Sequence, residues 1–145
     1  MSFVRIWIHA VWRTKHNGKI LLKEPRKRLF AHIKENAKLK KIYIDSIDGS
    51  VDHVHCLMGL NRELSIAGQM KLIKGESAFW ANQNHLLDHK LEWGRDYYAV
   101  SVSESLVGQV RKYIWNQEQH HKDDMTYETE CNKLFSSNDY YEDLC

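Results

Sequence analysis

Apolar and polar residues alternate at the start of the chain. Over residues 4–12 every second side chain is apolar, which is the period of a β-strand with one buried face. A basic turn containing Asn17-Gly18 follows, and Pro25 then favours the first position of a helix. The apolar residues of that helix recur at every fourth position: Leu29, Ile33 and Ala37.

Two more strands are predicted over residues 42–47 and 51–60. Asp48-Gly49 separates them, and an Asp-Gly pair between two apolar runs is typical of a β-hairpin. Ser65 is a suitable N-cap for a second helix. The apolar positions of that helix are Ile66, Met70, Ile73 and Trp80.

The second half of the chain adds one strand and two helices. The strand is predicted over residues 92–102, Ser103 is placed to cap a third helix, and a short helix is predicted near residues 127–135. The whole order of elements predicts an α+β fold of the ferredoxin-like, split βαβ type. Its four-stranded antiparallel sheet would carry helices on one face, and an added C-terminal helix would bear Tyr113.

Length and composition restrict the class of protein. A chain of 145 residues, 43% of them hydrophobic, predicts one folded domain over residues 1–145 and excludes a disordered chain. No apolar run approaches the ~20 residues of a membrane span, and the apolar N-terminal stretch is too short for a signal peptide. Three cysteines without a CxxC pair indicate neither a disulfide framework nor a zinc ribbon. We therefore expect a cytoplasmic protein that does not bind membranes.

Charge is distributed unevenly along the chain. Residues 13–41 hold eleven Lys and Arg against two acidic residues, whereas residues 123–145, an acidic tail, hold seven acidic residues against one lysine. The basic third can bind a phosphate backbone, although a solvated helix face has the same composition.

A possible metal site lies on the third strand. His53 and His55 are two residues apart, so they point to the same face of the sheet, opposite to Val54 and Cys56. Two imidazoles side by side on an open sheet face can chelate one metal ion. With nine histidines such a pair is common by chance, and two half-exposed strand histidines are the alternative.

A second pattern lies on the third helix. Tyr113 and Gln117 are four residues apart, share one helical face, and lie away from the apolar stripe of Val110 and Ile114. A surface or dimer-interface tyrosine is the alternative interpretation. Two imidazoles and an amide oxygen would leave coordination positions of Mg²⁺ or Mn²⁺ open for phosphate oxygens, and a neighbouring phenol can act as nucleophile.

Longer sequence blocks resemble those of a known family, the HUH single-tyrosine transposases of small bacterial insertion sequences and the related REP-associated tyrosine transposases. The resemblance covers nearly the whole chain. The blocks that carry it are residues 11–15, 52–55, 73–78, 93–103 and 110–121. Val51 stands where the family usually has a proline.

The resemblance implies both an activity and a set of site residues. His53, His55 and Gln117 would hold a divalent ion, Mg²⁺ or Mn²⁺, and Tyr113 would be the nucleophile that forms a 5′-phosphotyrosine. The substrate would be single-stranded DNA folded into hairpins. The protein would be a homodimer in which the tyrosine helix of one subunit can complete the metal site of the other.

Further residues are candidates for DNA contact. Lysines and arginines near the predicted site can bind phosphates, and aromatic residues can stack on unpaired bases. The basic candidates are Arg13, Lys15, Lys71 and Lys74, and the aromatic ones are Trp12, Trp93 and Tyr97. Surface charge and sheet core are the respective alternatives. His120 and His121 can contact DNA or belong to a solvated helix end.

Two other classes of function stay open from the residues alone. A non-catalytic ferredoxin-like module would bind nucleic acid without needing the histidines and without forming a covalent adduct. A small metal-binding protein would show metal-dependent stability without binding DNA. The paired patterns on the third strand and third helix favour the DNA strand transferase.

Overall fold

The computed structural model describes residues 2–117 and 126–135. Four strands form one sheet in the order β2-β3-β1-β4, and every neighbouring pair is antiparallel. The elements in chain order are β1 (Trp7–Arg13), α1 (Lys23–Leu39), β2 (Ile44–Gly49), β3 (His53–Gly59), α2 (Ile66–Gln83), β4 (Tyr98–Val102), α3 (Val107–Trp115) and α4 (Tyr127–Phe135). The predicted α+β fold of split βαβ type is confirmed.

The predicted hairpin joins β2 to β3. Asp48 and Gly49, predicted to separate the strands, are instead the last residues of β2, and residues 50–52 form the turn. A Cβ added at Gly49 would lie 2.2 Å from the carbonyl oxygen of His53, so only glycine fits there. The amide of Ser50 donates to the same carbonyl at 3.0 Å. The turn therefore fixes where β3 begins, and with it the register of the histidine strand.

One face of the sheet packs against α1 and α2. Alternate residues of the two central strands point into this layer: Ile8, Ala10 and Trp12 from β1, and Val54, Cys56 and Met58 from β3. The helices contribute Leu29, Ile33, Ala37, Met70 and Ile73, which are the positions that the four-residue spacing predicts. This face holds the main hydrophobic core.

The opposite face is covered by α3 and α4. Val110 and Ile114 of α3 pack against Leu57, while Tyr127 and Cys131 of α4 pack against Val11. The expectation that the histidines lie on an open sheet face is therefore wrong, and so is the alternative of two half-exposed strand histidines. The reason is that α4 presents its own apolar stripe to the sheet and so closes the surface above β1 and β3.

Some predicted element boundaries shift. β4 begins at Tyr98 rather than at residue 92, because the pairing with β1 is interrupted just before it. Residues 92–94 still pair with the end of β1, where the amide of Gly94 donates to the carbonyl of Arg13 at 2.8 Å, but between Gly94 and Tyr98 the Asp96 carboxylate accepts from Arg13 Nε at 3.0 Å. β1 begins at Trp7. Pro25 is the third residue of α1.

The two predicted caps differ. Ser65 caps α2 by accepting from the amide of Gly68 at 3.0 Å, as predicted. Ser103 makes no capping bond with its side chain, and a 3-10 turn, Glu104–Leu106, precedes α3 instead. Among the residues that the structure describes, no helix is long and apolar enough to cross a membrane.

Candidate active site

The two histidines of β3 lie side by side and are fully buried. Each has a different partner at its Nδ1 atom: His53 Nδ1 lies 2.7 Å from Asp52 Oδ1, and His55 Nδ1 lies 2.9 Å from His9 Nε2. His9 comes from β1, which pairs directly with β3. These contacts fix the orientation of both rings and turn both Nε2 atoms toward α3 and α4.

Tyr113 and Gln117 reach the same space from α3. They lie one helical turn apart, and both side chains are buried. The Tyr113 hydroxyl donates to Glu130 Oε1 at 2.5 Å, and Gln117 Nε2 donates to the same oxygen at 3.2 Å. Arg111 holds α3 against β2 through two bonds to the Asp45 carboxylate, of 2.7 and 2.8 Å.

Glu130 of α4 is the centre of the cluster. Its Oε2 lies 3.0 Å from His53 Nε2, and its Oε1 lies 2.9 Å from His55 Nε2. One buried carboxylate thus joins both histidines to the tyrosine and the glutamine. The structure brings together all four residues that the sequence predicted for the site.

Glu130 and His9 also belong to the site, and neither was predicted from the sequence. Glu130 lies in residues 123–145, which were interpreted as an acidic tail because of their charge. Its signal was the helical spacing of Tyr127, Glu130, Cys131 and Leu134, which places the glutamate on the buried stripe of α4. His9 had a weaker signal, since it only shares a face with Val11 on a strand that had to pair with β3.

Buried charges set the protonation of the cluster. Burial alone would lower the pKa of His53, but hydrogen bonds and charges from Asp52 and Glu130 raise it to about 9. Burial and the neighbouring His55 hold the pKa of His9 well below its ordinary value, so this ring is neutral. Burial and the charge of Glu130 raise the pKa of Tyr113, so its phenol stays protonated.

The cluster fits a divalent metal ion. His53, His55 and Glu130 each offer one ligand atom, and these atoms all lie within 4.8 Å of one another. Two imidazole nitrogens and a carboxylate oxygen are a common ligand set for such ions. An imidazole binds a metal ion through a deprotonated nitrogen, so an ion bound here would require both Nε2 atoms to be deprotonated. Gln117 as third ligand stays a prediction.

The predicted DNA-contact residues fall into two groups. Lys15, Lys71 and Lys74 line one groove of about 670 Å³ between α2 and residues 90–97. Trp93 and Tyr97 also line this groove, whereas Trp12 is sealed in the core and cannot stack on a base.

Arg13 borders this groove without lining it, since its carbonyl accepts at 2.8 Å from the amide of Gly94, which is a lining residue. Arg13 bonds to Asp96 and lies 5.8 Å from the ring centroid of Tyr127 in α4. His120 and His121 lie outside the described residues.

Known proteins resemble this chain in sequence and in fold. Residues 2–117 match the family described as "Transposase IS200 like". The ISDra2 transposase TnpA of Deinococcus radiodurans is 29% identical over an alignment of 116 residues, which covers 75% of this chain and 81% of that protein. The crystal structure of a candidate transposase from Deinococcus radiodurans R1 has a TM-score of 0.60 at 25% identity, over 80% of this chain and 93% of that one.

A REP-associated tyrosine transposase bound to a REP hairpin has the same fold. Its TM-score is 0.59 at 12% identity, over 84% of this chain and 72% of that one. The sequence match spans the sheet, the histidine strand and the tyrosine helix up to Gln117, while α4 lies beyond it. The chain therefore belongs to the IS200-like family and is an HUH single-tyrosine transposase.

Proposed function

We propose that this transposase cuts and rejoins single-stranded DNA with Tyr113 as its nucleophile. The observation that carries the proposal is the position of the Tyr113 hydroxyl. It contacts the Glu130 carboxylate, and so do the imidazoles of His53 and His55 on β3. A phenol that close to a possible metal site can reach a phosphate held by the same groups.

The reaction exchanges one phosphodiester for another. The Tyr113 oxygen attacks phosphorus, the bond from phosphorus to the 3′ oxygen breaks, and a 5′-phosphotyrosine and a 3′-hydroxyl result. The phenol loses one proton and the leaving oxygen gains one. A 3′-hydroxyl reverses the step during strand transfer, so no nucleotide cofactor is needed.

A divalent ion, Mg²⁺ or Mn²⁺, is part of the proposal. His53 and His55 would hold it, with the Gln117 amide oxygen as third ligand according to the sequence pattern. Glu130 offers a carboxylate in the same space. Such an ion would neutralise the charge that develops on the scissile phosphate in the transition state.

The substrate we propose is a DNA hairpin with single-stranded flanks. The groove of Lys15, Lys71 and Lys74 supports it, since ammonium groups beside Trp93 and Tyr97 suit a backbone with unpaired bases. The relative with a bound REP hairpin agrees with this substrate class.

A homodimer is a further part of the proposal. Tyr113 and the histidines of one chain already meet, so a site can form within one subunit. Sites shared in trans would instead require α3 to exchange between subunits. Mixing the Tyr113→Phe and His53→Ala proteins distinguishes the two arrangements, because only exchange restores cleavage.

Replacement of the nucleophile tests the proposal. Tyr113→Phe removes one oxygen, so folding and hairpin binding should persist while the covalent protein–DNA adduct disappears from a denaturing gel. Tyr98→Phe is the matched control, because Tyr98 lies on the same sheet face without a bond to Glu130, and it should still form the adduct. An adduct with Tyr113→Phe would exclude this nucleophile, and no adduct with the unmodified protein would favour a non-catalytic DNA-binding module.

A further inference from the structure

The groups that must touch DNA are sealed from solvent. The fractional exposure is 7% for Tyr113 and 0% for His53, His55 and Gln117. A phosphodiester cannot reach the Tyr113 oxygen in this arrangement. Something that now covers these groups has to move before the enzyme can act.

The cover over the sheet face is α4. The Tyr127 ring lies 5.5 Å from the His53 ring between centroids, and the Phe135 ring stacks on Tyr98 at 5.0 Å. Phe135 also lies 5.7 Å from His9. These aromatic side chains pack against the surface that leads to the histidines.

Glu130 occupies the position that a substrate phosphate needs. A carboxylate and a phosphodiester each present two oxygens that share one negative charge. The Glu130 oxygens lie within 3.0 Å of His53 Nε2, His55 Nε2 and the Tyr113 hydroxyl, which belong to the groups proposed to act on the scissile phosphate. The two anions would compete for one place.

The attachment of α4 depends on packing. A helix of nine residues is marginal in isolation, so its apolar stripe of Tyr127, Cys131 and Leu134 holds it to the sheet. It lies beyond residues 2–117, which match the family, and it belongs to an acidic stretch that DNA would repel.

We propose that α4 is an intramolecular substitute for DNA: the enzyme becomes active when α4 leaves the sheet and a backbone phosphate replaces Glu130. This inference rests on the proposed function in one respect, namely that the cluster around Tyr113 acts on DNA. The docked helix would keep the nucleophile away from unselected single strands until a hairpin binds.

The native cysteines allow a direct test. Cys131 on α4 is 1% exposed, and Cys56 is buried in the core on the other face of the sheet. In a Cys145→Ser protein, the labelling rate of Cys131 reports the opening of α4, and that of Cys56 reports global unfolding. We expect Cys131 to react at least about tenfold faster than Cys56.

Addition of DNA gives the decisive result. The probe is a hairpin oligonucleotide selected for binding from a pool with randomised single-stranded flanks, used with and without Mg²⁺. It should accelerate labelling of Cys131 and leave that of Cys56 unchanged. Slower or unchanged labelling of Cys131 in the bound complex would overturn the proposal, because α4 would then stay docked on the DNA complex.

A substitution in α4 tests the same point without replacing a catalytic group. Leu134→Ala removes apolar contacts that hold α4, so Cys131 labelling should rise about tenfold or more and adduct formation should become faster. Leu39→Ala, at an exposed leucine of α1, is the matched control and should change neither rate. Slower adduct formation by folded Leu134→Ala protein would show that docked α4 belongs to the working site.

This readout separates the two proposals. Labelling does not depend on which tyrosine attacks, so a failure of Tyr113 as nucleophile would leave the Cys131 result unaffected. Conversely, loss of the adduct in Tyr113→Phe would stand even if α4 never opened.

Discussion

The two faces of the sheet differ in what they bury, although the same strands supply both. Toward α1 and α2, β3 contributes Val54, Cys56 and Met58, whose side chains pack in the hydrophobic core. Toward α3 and α4 it contributes His53 and His55, which bond to polar groups throughout. A buried polar cluster is stable only when each polar atom has a hydrogen-bonding partner. A substitution on this face therefore acts by leaving a polar group without its partner, whereas a substitution on the other face acts by removing apolar contacts.

The largest effect is expected for His53→Ala, which should remove activity without unfolding the protein. His53→Ala should abolish metal binding, measured by Mn²⁺ titration, and reduce adduct formation by about 10³-fold or more, since an imidazole ligand is lost. The protein should still fold, because the main core lies on the other face.

Met58→Ala is the control on that other face. It should lower the free energy of unfolding by about 2–5 kcal/mol, measured by urea denaturation, and leave the metal affinity of the folded protein unchanged. Loss of metal binding in folded Met58→Ala protein would show that the two faces are not independent.

The next effect concerns the third ligand. Gln117→Ala should weaken Mn²⁺ binding and adduct formation by up to about a hundredfold while single-stranded DNA binding persists. Glu130→Gln is the comparison variant for the other possible ligand in this space, because it keeps the shape of the Glu130 side chain and removes its charge. Normal cleavage by Gln117→Ala at limiting metal would assign the third ligand elsewhere.

A smaller effect is expected at His9, which supports His55 from the neighbouring strand. His9→Leu should weaken Mn²⁺ affinity by about tenfold, because it removes the partner of His55 Nδ1. His9→Gln keeps a hydrogen-bonding group and should recover part of the loss. Equal affinity in the two variants would mean that His9 only fills space.

The smallest effect is expected on stability, at the ion pair between Arg111 and Asp45 that joins α3 to β2. Arg111 and its bonds hold the pKa of Asp45 below its usual range. Because the folded-state pKa is lowered, the ion pair stabilises the protein above the unfolded pKa of about 3.9 and loses its effect as the pH falls through the folded-state pKa. Arg111→Gln should lower the thermal unfolding temperature slightly at pH 7, and the difference from the unmodified protein should vanish in acid.

Local spacing predicted most of the fold and four residues of the site. Alternation located the central strands, and the separations of two and four residues placed His53 with His55 and Tyr113 with Gln117 on shared faces. Glu130 was beyond such reasoning, because its contact with His53 joins residues 77 positions apart through tertiary packing. The late start of β4 also depends on tertiary contacts, since the pairing with β1 is interrupted around Asp96, which forms a salt bridge with Arg13.

The central position of β1 has a consequence for how the protein is made. This first strand pairs on one side with β3 and on the other with β4, both of which are synthesised long after it. Residues 7–13 therefore leave the ribosome seconds before either partner exists, at about 5–20 residues per second. The sheet closes only after residue 102 emerges, and Tyr113, Gln117 and Glu130 follow it. The nascent chain thus completes its scaffold before it acquires the means to cut DNA.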